Sequence, residues 1–243
     1  MLGHRLVVVS DAHLGRGPSD AKEAFLAFLQ AVPTLGDSLL VAGDLFEFWY
    51  SYRRVVPRDG FAVAAALQQL GKAIPVAMVG GNHDRWGGSF WERELGIRFE
   101  PKTLRFQVGD RAGVAIHGDG VTETHWSAKL LHRVISSRAT IAGFGALHPD
   151  VGHWLVDRLS GHLGDTTRDP ELIARSAERQ RVWAEALLAA DPTLAFVVMG
   201  HTHQPAVSQP SAGRFYVNPG PWCDGRHYAI VEPRLVTLHR FTS

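Results

Sequence analysis

Short apolar runs alternate with amphipathic stretches along the first half of the chain. The runs predict buried strands because they are brief and bounded by Gly or polar residues. They lie at 6–10, 38–42, 75–79, 104–108 and 113–117. Apolar side chains recur at helical spacing at 21–32, 61–72 and 89–95. Apolar strands alternating with helices are typical of a sheet covered on both faces, so the pattern predicts an α/β layered fold.

The pattern changes within residues 123–193, where helices are predicted at 126–137, 148–159 and 170–189 without an apolar strand between them. Strands are predicted again at 194–199, 215–217, 228–231 and 235–240. We therefore expect a core made of residues 1–122 and 194–243, interrupted by a helical insertion at 123–193.

Clusters of Asp, Asn and His, most of them beside Gly, follow five of the apolar runs at the point where each run ends. The clusters are Asp11-Ala12-His13, Gly43-Asp44, Gly81-Asn82-His83-Asp84, His117-Gly118-Asp119 and Gly200-His201-Thr202-His203. Open α/β sheets place their sites outside the carboxyl ends of the strands. We therefore expect the five clusters to converge at one edge of the fold.

The donor atoms of these clusters indicate a metal centre without thiolate ligands. Imidazole, carboxylate and amide oxygen suit Mn, Fe, Zn or Ni. One cation cannot use so many ligands, whereas two cations that share a bridging carboxylate can. Each cluster alone is more typical of an ordinary turn or helix cap. The metal hypothesis therefore depends on all five occurring in this order.

Composition excludes several classes of protein. The 243 residues are 45% hydrophobic and 20% charged, which excludes a disordered chain, a collagen and a coiled coil. A net charge of +1 gives no strong field to attract nucleic acid, so no such partner is expected. The single Cys223 excludes an internal disulfide and a multi-cysteine zinc site. Without a long apolar run or a signal-like N-terminus, a cytoplasmic protein is expected, at most peripheral to a membrane.

Taken together, the five clusters resemble the signature of the calcineurin-like metallophosphoesterases, over residues 11–203. The resemblance implies a four-layer α/β/β/α sandwich. It also implies two divalent metal ions bridged by Asp44. One ion would take Asp11, His13, Asp44 and His203, and the other would take Asp44, Asn82, His117 and His201.

The same resemblance implies the catalytic roles. His83 would contact the scissile phosphate or the leaving oxygen, and Asp84 would orient His83. Asn82 would help to stabilise charge on the phosphate. Two divalent cations with Asp11 and Asp44 leave a net charge of about +2, which favours an anionic phosphate ester.

Further segments are similar to the UDP-2,3-diacylglucosamine pyrophosphatases of lipid A biosynthesis. They are Leu45-Phe46-Glu47-Phe48-Trp49-Tyr50, Arg85-Trp86 and Ala146-Leu147-His148-Pro149-Asp150, together with the helical insertion. That similarity implies cleavage of a UDP-linked diacyl sugar to UMP and a lipid sugar 1-phosphate. It also implies Mn²⁺ as the metal, a location at the cytoplasmic face of the inner membrane, and an insertion that forms a helical cap over the acyl chains. His83 stands where many members carry Arg, so a soluble nucleotide pyrophosphate or phosphodiester remains an alternative substrate. A non-enzymatic metal-holding scaffold is a third hypothesis.

Six residues are candidates for binding the substrate: Trp49, Arg85, His125, Arg175, Ser176 and Arg179. Aromatic residues such as those at 46–50 most often belong to the core or to a pocket wall, and Trp49 could line the pocket. Arg175, Ser176 and Arg179 fall close together on the last predicted helix of the insertion and could hold phosphates. A solvated helix face explains them equally well. The apolar surplus of the insertion suits a lipid-binding cap or an interfacial helix, or simply the packing of the cap on the core.

Overall fold

The computed structural model describes residues 2–15, 19–122, 126–163 and 169–242. Its strands are β1 (Leu6–Val9), β2 (Ser38–Val41), β3 (Val76–Val79), β4 (Arg98–Glu100), β5 (Leu104–Val108), β6 (Arg111–Ala115), β7 (Leu194–Val198), β8 (Ala206–Ser211), β9 (Arg214–Asn218), β10 (His227–Glu232) and β11 (Leu235–Arg240). Its helices are α1 (Ser19–Leu35), α2 (Phe61–Ala73), α3 (Phe90–Arg93), α4 (Asp119–Thr122), α5 (Trp126–Ile135), α6 (Arg138–Phe144), α7 (Pro149–Leu163) and α8 (Pro170–Ala190).

The strands form two sheets. The six-stranded sheet has the order β11-β10-β1-β2-β3-β4, and β1 to β4 run parallel within it. The five-stranded sheet has the order β5-β6-β7-β9-β8, with β6, β7 and β9 parallel. The predicted strands are present, and β4 and β8 are additional edge strands that the apolar pattern missed. Strand β4 has a single buried residue and β8 exposes most of its residues, so neither forms an apolar run in the sequence.

Three buried clusters separate four layers. Successive residues of β1, such as Val7 and Val8, face opposite sides of the first sheet because neighbouring side chains on a strand point in opposite directions. Val7 packs with the apolar stripes of α1 and α2, whereas Val8 packs with Phe196 and other residues of the second sheet. Val197 faces outward against Leu188 of α8. The layers are therefore helix, sheet, sheet and helix, as expected.

Helix α8 supplies the outer layer of the second sheet. It begins at Pro170 after Asp169, whose side chain accepts a hydrogen bond from the Glu171 N–H and so caps the helix. Its residues Gln180, Ala184 and Leu188 are buried at a spacing of four, which places them on one face. Although α8 falls within the predicted insertion, its buried face packs on the core sheet. The boundary of the insertion at residue 193 stays a prediction.

Helices α5, α6 and α7, which we call the cap helices, attach to the core through an aromatic cluster. Phe144 of α6 packs against Phe48, Tyr50 and Trp86, with ring centroids 5.4, 5.1 and 5.2 Å away. The Tyr50 hydroxyl donates a hydrogen bond to the Ile141 carbonyl at 2.9 Å. Among the described helices, none has the length and hydropathy needed to cross a bilayer.

Candidate metal centre

The five polar clusters meet at the carboxyl ends of β1, β2, β3, β6 and β7, an edge that we call the rim. Backbone groups link them directly. The Asp11 N–H donates to the Gly43 carbonyl at 3.1 Å, and the Gly200 N–H donates to the His117 carbonyl at 2.9 Å. Because these bonds join segments far apart in the chain, the convergence expected from the strand ends is what the structure shows.

Five of the seven predicted ligands have a left-handed backbone. The φ angle is 52° at Asp11, 45° at His13, 51° at Asp44, 69° at His201 and 54° at His203. In the described part of the chain, the only other non-glycine residue with positive φ is Arg226. Each such residue costs about 1–3 kcal/mol, a strain that persists only where the surrounding structure holds it and that clusters at functional sites.

Potential ligand atoms gather in three groups whose atoms lie within 4.8 Å of one another. The groups are Asp11 with His13 and His203, His13 with Asp44 and His83, and Asp44 with His117 and His201. The first and third groups each contain three of the four residues expected for one cation. Asn82, the remaining expected ligand, is exposed and directly precedes His83 of the second group in the sequence.

The Asp44 carboxylate lies between the two expected metal sites. Its Oδ2 is 3.0 Å from His117 Nε2 and 3.9 Å from His13 Nε2. Its Oδ1 accepts a hydrogen bond from the His83 N–H at 3.0 Å. Although burial opposes ionisation, the nearby histidines, His117 above all, hold the pKa of Asp44 well below its usual range. Asp44 is therefore placed where a bridging carboxylate would be.

His117 fits the requirements of a metal ligand. Its Nδ1 hydrogen-bonds the Ala42 carbonyl at 2.9 Å, an outer contact typical of ligating histidines. Its Nε2 is buried without a well-directed hydrogen bond, although Asp44 Oδ2 lies close. Burial alone would lower the pKa of His117, but Asp44 outweighs it and raises the pKa to about 10. A cation between these two atoms would replace that proton.

Asp11 is fully buried and held from two sides. The Ser10 hydroxyl donates to its Oδ2 at 2.6 Å, and the His201 N–H donates to its Oδ1 at 2.9 Å. His203 Nε2 lies 3.4 Å from Oδ1. Burial opposes the charge, yet the hydrogen bond and positive charge of neighbouring histidines lower the pKa of Asp11. The carboxylate is thus ready as a ligand at neutral pH.

Glu47 orients two of the rim histidines at once, which the sequence argument did not anticipate. Its carboxylate contacts His13 Nδ1 at 3.1 Å, and its backbone carbonyl accepts from His83 Nδ1 at 2.6 Å. Burial lowers the pKa of His13, but the contact with Glu47 acts against burial and the pKa is raised to about 9. A carboxylate behind a ligating histidine fixes the ring and raises its basicity. The sequence signal that could have identified Glu47 is that it is the single acidic residue within the aromatic segment 46–50.

The hydrogen bonds of Asp84 differ from the expected role. Asp84 was expected to orient His83, but the Glu47 carbonyl makes the contact with that ring. Asp84 instead accepts from the N–H groups of Gly81 at 2.8 Å and Leu45 at 2.7 Å. Burial and the charge of Asp44 raise the pKa of Asp84 to about 6. Asp84 therefore joins the loops after β2 and β3.

One ring nitrogen of His201 contacts a residue of α4 and not another expected ligand. Its Nε2 lies 3.1 Å from the Thr122 hydroxyl, and Thr122 is buried. Burial, followed by the positive charge of His117, lowers the pKa of His201 to about 4. The ring is neutral at pH 7, as a metal ligand must be. Thr122 gave no signal in the sequence.

Glycines beside the ligands are required by close approach. A Cβ on Gly81 would clash with Asp44 Oδ1, and a Cβ on Gly43 would clash with the His117 ring. Gly43 also has a φ of 92°, which favours glycine. The Gly residues of two clusters thus let the Asp44 carboxylate and the His117 ring come together.

The structure places the expected substrate-binding residues unequally. Trp49 was expected to line the pocket, but it is only 1% exposed and packs in the core against Phe46, Phe90 and Trp91. A side chain enclosed by three aromatic rings cannot line an open site, so that expectation is wrong. Arg85 lies at the rim, where its guanidinium pairs with Asp119.

The remaining candidates lie farther along the chain. Arg175 and Arg179 are exposed on α8, where Arg175 pairs with Glu171 at 2.7 Å and Arg179 donates to Ser176 at 3.0 Å. These contacts are local to the helix and show no assembled phosphate site. His125 lies outside the described residues.

Comparisons with known proteins agree with this geometry. The model of the calcineurin-like phosphoesterase family matches residues 4–205. The UDP-2,3-diacylglucosamine hydrolase of Shewanella baltica (strain OS155 / ATCC BAA-1091) is 25% identical over 218 residues, which cover 90% of this chain and 89% of that protein. The protein of the same name from Shewanella sp. (strain W3-18-1) is 25% identical over 234 residues, covering 96% and 95%. The solved structure of Vacuolar Protein Sorting 29 from Cryptosporidium parvum aligns over 100% of both chains, with 14% identity and a TM-score of 0.45, too low to carry an argument.

Proposed function

The chain belongs to the calcineurin-like phosphoesterases, and from that premise we propose that it is a dinuclear-metal hydrolase of UDP-2,3-diacylglucosamine. The products would be UMP and 2,3-diacylglucosamine 1-phosphate. The observation that carries the reaction class is the position of the Asp44 carboxylate, whose Oδ2 lies 3.0 Å from His117 Nε2 and 3.9 Å from His13 Nε2. The substrate is supported by the names of relatives that cover most of the chain at 25% identity.

Two divalent ions, for which we propose Mn²⁺, would occupy the ligand groups described above. The first would be held by Asp11, His13, Asp44 and His203, and the second by Asp44, Asn82, His117 and His201. When bound, such ions polarise a phosphoester and lower the pKa of water to give a nucleophile near neutral pH. Glu47 would keep His13 oriented toward its ion, since it already contacts the opposite ring nitrogen.

His83 is the proposed general acid. Because its Nδ1 is engaged by the Glu47 carbonyl, the ring is fixed and the other nitrogen remains for the substrate. That nitrogen, when protonated, can donate to the leaving oxygen. Asn82 is exposed at the rim, where its amide can contact a phosphate oxygen or an ion. Asp84 would act indirectly, by holding the loop that carries both residues.

The cap helices support a substrate with apolar chains. Trp126 of α5 is 70% exposed and Trp154 of α7 is 62% exposed, and smaller apolar residues of both helices are exposed as well. Contiguous exposed apolar patches mark interaction sites, and we propose that these residues contribute to one. We propose that it covers the acyl chains and contacts the cytoplasmic face of a membrane. Arg85, His125, Arg175, Ser176 and Arg179 remain the proposed contacts to the polar part of the substrate.

A soluble nucleotide pyrophosphate or phosphodiester is the second candidate substrate. It is favoured by His83, which stands where many UDP-2,3-diacylglucosamine pyrophosphatases carry Arg. The reaction would be the same, because only the group beyond the phosphates differs.

Phosphorus NMR of the purified protein with Mn²⁺ would test the proposal. The panel is UDP-2,3-diacylglucosamine, deacylated UDP-glucosamine, a dinucleoside polyphosphate and a small chromogenic phosphodiester. We expect UMP and the sugar 1-phosphate from the diacyl compound, and far slower turnover of the deacylated one. Asp44→Asn, which keeps the side-chain shape but removes the charge, is the control and should be inactive. Equal turnover with and without acyl chains would support the soluble substrate instead, and no hydrolysis of any compound would contradict the reaction class.

A further inference from the structure

A fully buried glutamine of α8, Gln180, lies between two of the ligand-bearing turns. Its Nε2 donates a hydrogen bond to the Gly200 carbonyl at 3.0 Å. Its amide also faces Gly118, where an added Cβ would lie 3.2 Å from Oε1. Gly118 follows His117 and Gly200 precedes His201, so this one side chain contacts both turns that carry ligands of the second metal site.

Packing alone does not explain a glutamine at this position. Gln180 shares its buried face with Ala184 and Leu188, which pack on the second sheet, and all three are at most 1% exposed. The Gln180 Oε1 is buried without a hydrogen-bond partner among the described residues. Burying an unsatisfied acceptor is unfavourable, and an apolar side chain of similar size would avoid that loss. The amide therefore has a role beyond attaching α8 to the sheet.

The turn that Gln180 contacts is a strained one. His201 has a φ of 69°, and such a conformation persists only when its surroundings hold it. The Gly200 carbonyl accepts a second hydrogen bond, from Asn218 Nδ2 at 3.0 Å, and the same Nδ2 donates to the Thr202 hydroxyl at 3.0 Å. The turn is thus held by β9 on one side and by α8 on the other.

We propose that Gln180 is a positioning residue for the second metal site. By holding the Gly200 carbonyl and abutting Gly118, it keeps His117 and His201 at the spacing that brings their ligand atoms and those of Asp44 within 4.8 Å. The ligands that the first site does not share with the second, Asp11, His13 and His203, have no described contact with Gln180. This inference rests on the dinuclear site of the proposed function and adds a determinant outside the five clusters.

The test is a titration of metal-free protein with Mn²⁺. Calorimetry would measure the affinity for each ion, and electron paramagnetic resonance would detect the magnetic coupling between two bound Mn²⁺ ions. In Gln180→Leu, the first Mn²⁺ should bind as in the unmodified protein, and the second should bind about 10–100-fold more weakly, the scale for lost outer contacts to ligands. Gln180→Met, which keeps the length without the amide, should behave alike. The matched control is Leu188→Ala on the same face, which should lower the Tm but leave both affinities unchanged.

The outcomes separate the two proposals. If the unmodified protein binds two Mn²⁺ and Gln180→Leu binds both equally well, the role of Gln180 is refuted and the dinuclear function stands. If the unmodified protein binds one ion or none, the proposed function itself fails. Loss of second-site affinity in Leu188→Ala would mean that any loosening of α8 has this effect, which also refutes a specific role. Failure of both Gln180 variants to fold would make the amide a determinant of stability and overturn the inference.

Discussion

The rim and the cap helices depart in opposite directions from the usual distribution of side chains. At the rim, Asp11, Asp44 and Asp84 are at most 2% exposed. On the cap helices, Trp126 and Trp154 are more than half exposed. Folding alone favours neither arrangement, because buried charge loses hydration and exposed aromatic surface stays in water. Each departure therefore marks a surface that we expect to bind something: ions at the rim and apolar groups at the cap.

The two regions also differ in how firmly they are held. Rim carboxylates receive backbone N–H groups from distant segments, as Asp11 does from His201 and Asp44 from His83. The described contacts of the cap helices with the core are fewer and centre on the aromatic cluster around Phe144. We therefore expect substitutions at the rim to affect the reaction itself and substitutions on the cap helices to affect the choice of substrate.

The largest effect is expected for Asp44→Ala, because the Asp44 carboxylate is proposed to bridge both ions and lies close to His117 and to His13. Loss of the shared carboxylate should weaken both ions and lower kcat by about 10³-fold or more, the upper scale for a lost electrostatic contribution. Metal analysis after dialysis, together with kcat, would measure this. If Asp44→Ala keeps most activity while Asp11→Ala abolishes it, the assignment of the bridge is incorrect.

His83→Ala should sharpen the distinction between binding metal and acting on the substrate. We expect kcat to fall by about 10²–10⁴-fold, the scale of a lost general acid or charge-stabilising donor. Both metals should be retained, although His83 lies within reach of His13 and Asp44. Metal content and kcat measured on the same preparation would decide. Loss of one ion from this variant would make His83 a ligand.

Glu47→Ala should affect the first metal site, because its carboxylate contacts the outer nitrogen of His13. The affinity for one Mn²⁺ should fall by about 10–100-fold while the other ion binds normally. Glu47→Gln is the matched control, since it retains an acceptor for the His13 N–H and should lose less. Calorimetric titration would measure both. Equal affinities in all three proteins would show that Glu47 does not support His13.

Substitutions on the cap helices should spare the reaction at the rim. Trp126→Ser combined with Trp154→Ser should lower kcat/KM for the diacyl substrate by roughly ten-fold or more, given the apolar area of two tryptophans. Hydrolysis of a small chromogenic phosphodiester should not change. The control is Phe61→Ser, since Phe61 is 64% exposed and belongs to α2, outside the cap helices. An equal loss with both substrates would contradict a cap that selects lipid.

The smallest expected effects are a pH dependence of the Tm and a release of protons when Mn²⁺ binds. In metal-free protein the pKa values of His13 and His117 are raised to about 9 and about 10. A raised folded-state pKa stabilises the fold fully below the unfolded value near 6.5, and this stabilisation is lost as pH rises through the folded values. The Tm of metal-free protein should therefore decline from about pH 7 to 10. Adding Mn²⁺ at pH 7 should release about two protons per chain, measurable in a weakly buffered solution. Release of no protons would contradict ligation by these two residues.

Much of the core could be predicted because its signals are local. Apolar runs such as 6–10 and 38–42 are each buried strands in the structure, and each of the five polar clusters follows one. The rule that sites form at the carboxyl ends of parallel strands then brings Asp11 and Asp44 together without any knowledge of distances. The signals failed where burial depends on partners. Trp49 was placed in the pocket because a tryptophan in a loop carries no mark of the aromatic rings that enclose it.

The sequence by itself determined the alternation of buried strands with helices and the chemical identity of the donor atoms, since both follow from residue types and their spacing. Only the tertiary structure decided which atom contacts which. It assigned Glu47 rather than Asp84 to the ring of His83, and it brought Gln180 of α8 against Gly118 and Gly200. Such contacts join residues 20 or more positions apart and depend on side-chain conformation and on the packing of separate elements. No periodicity along the chain encodes them.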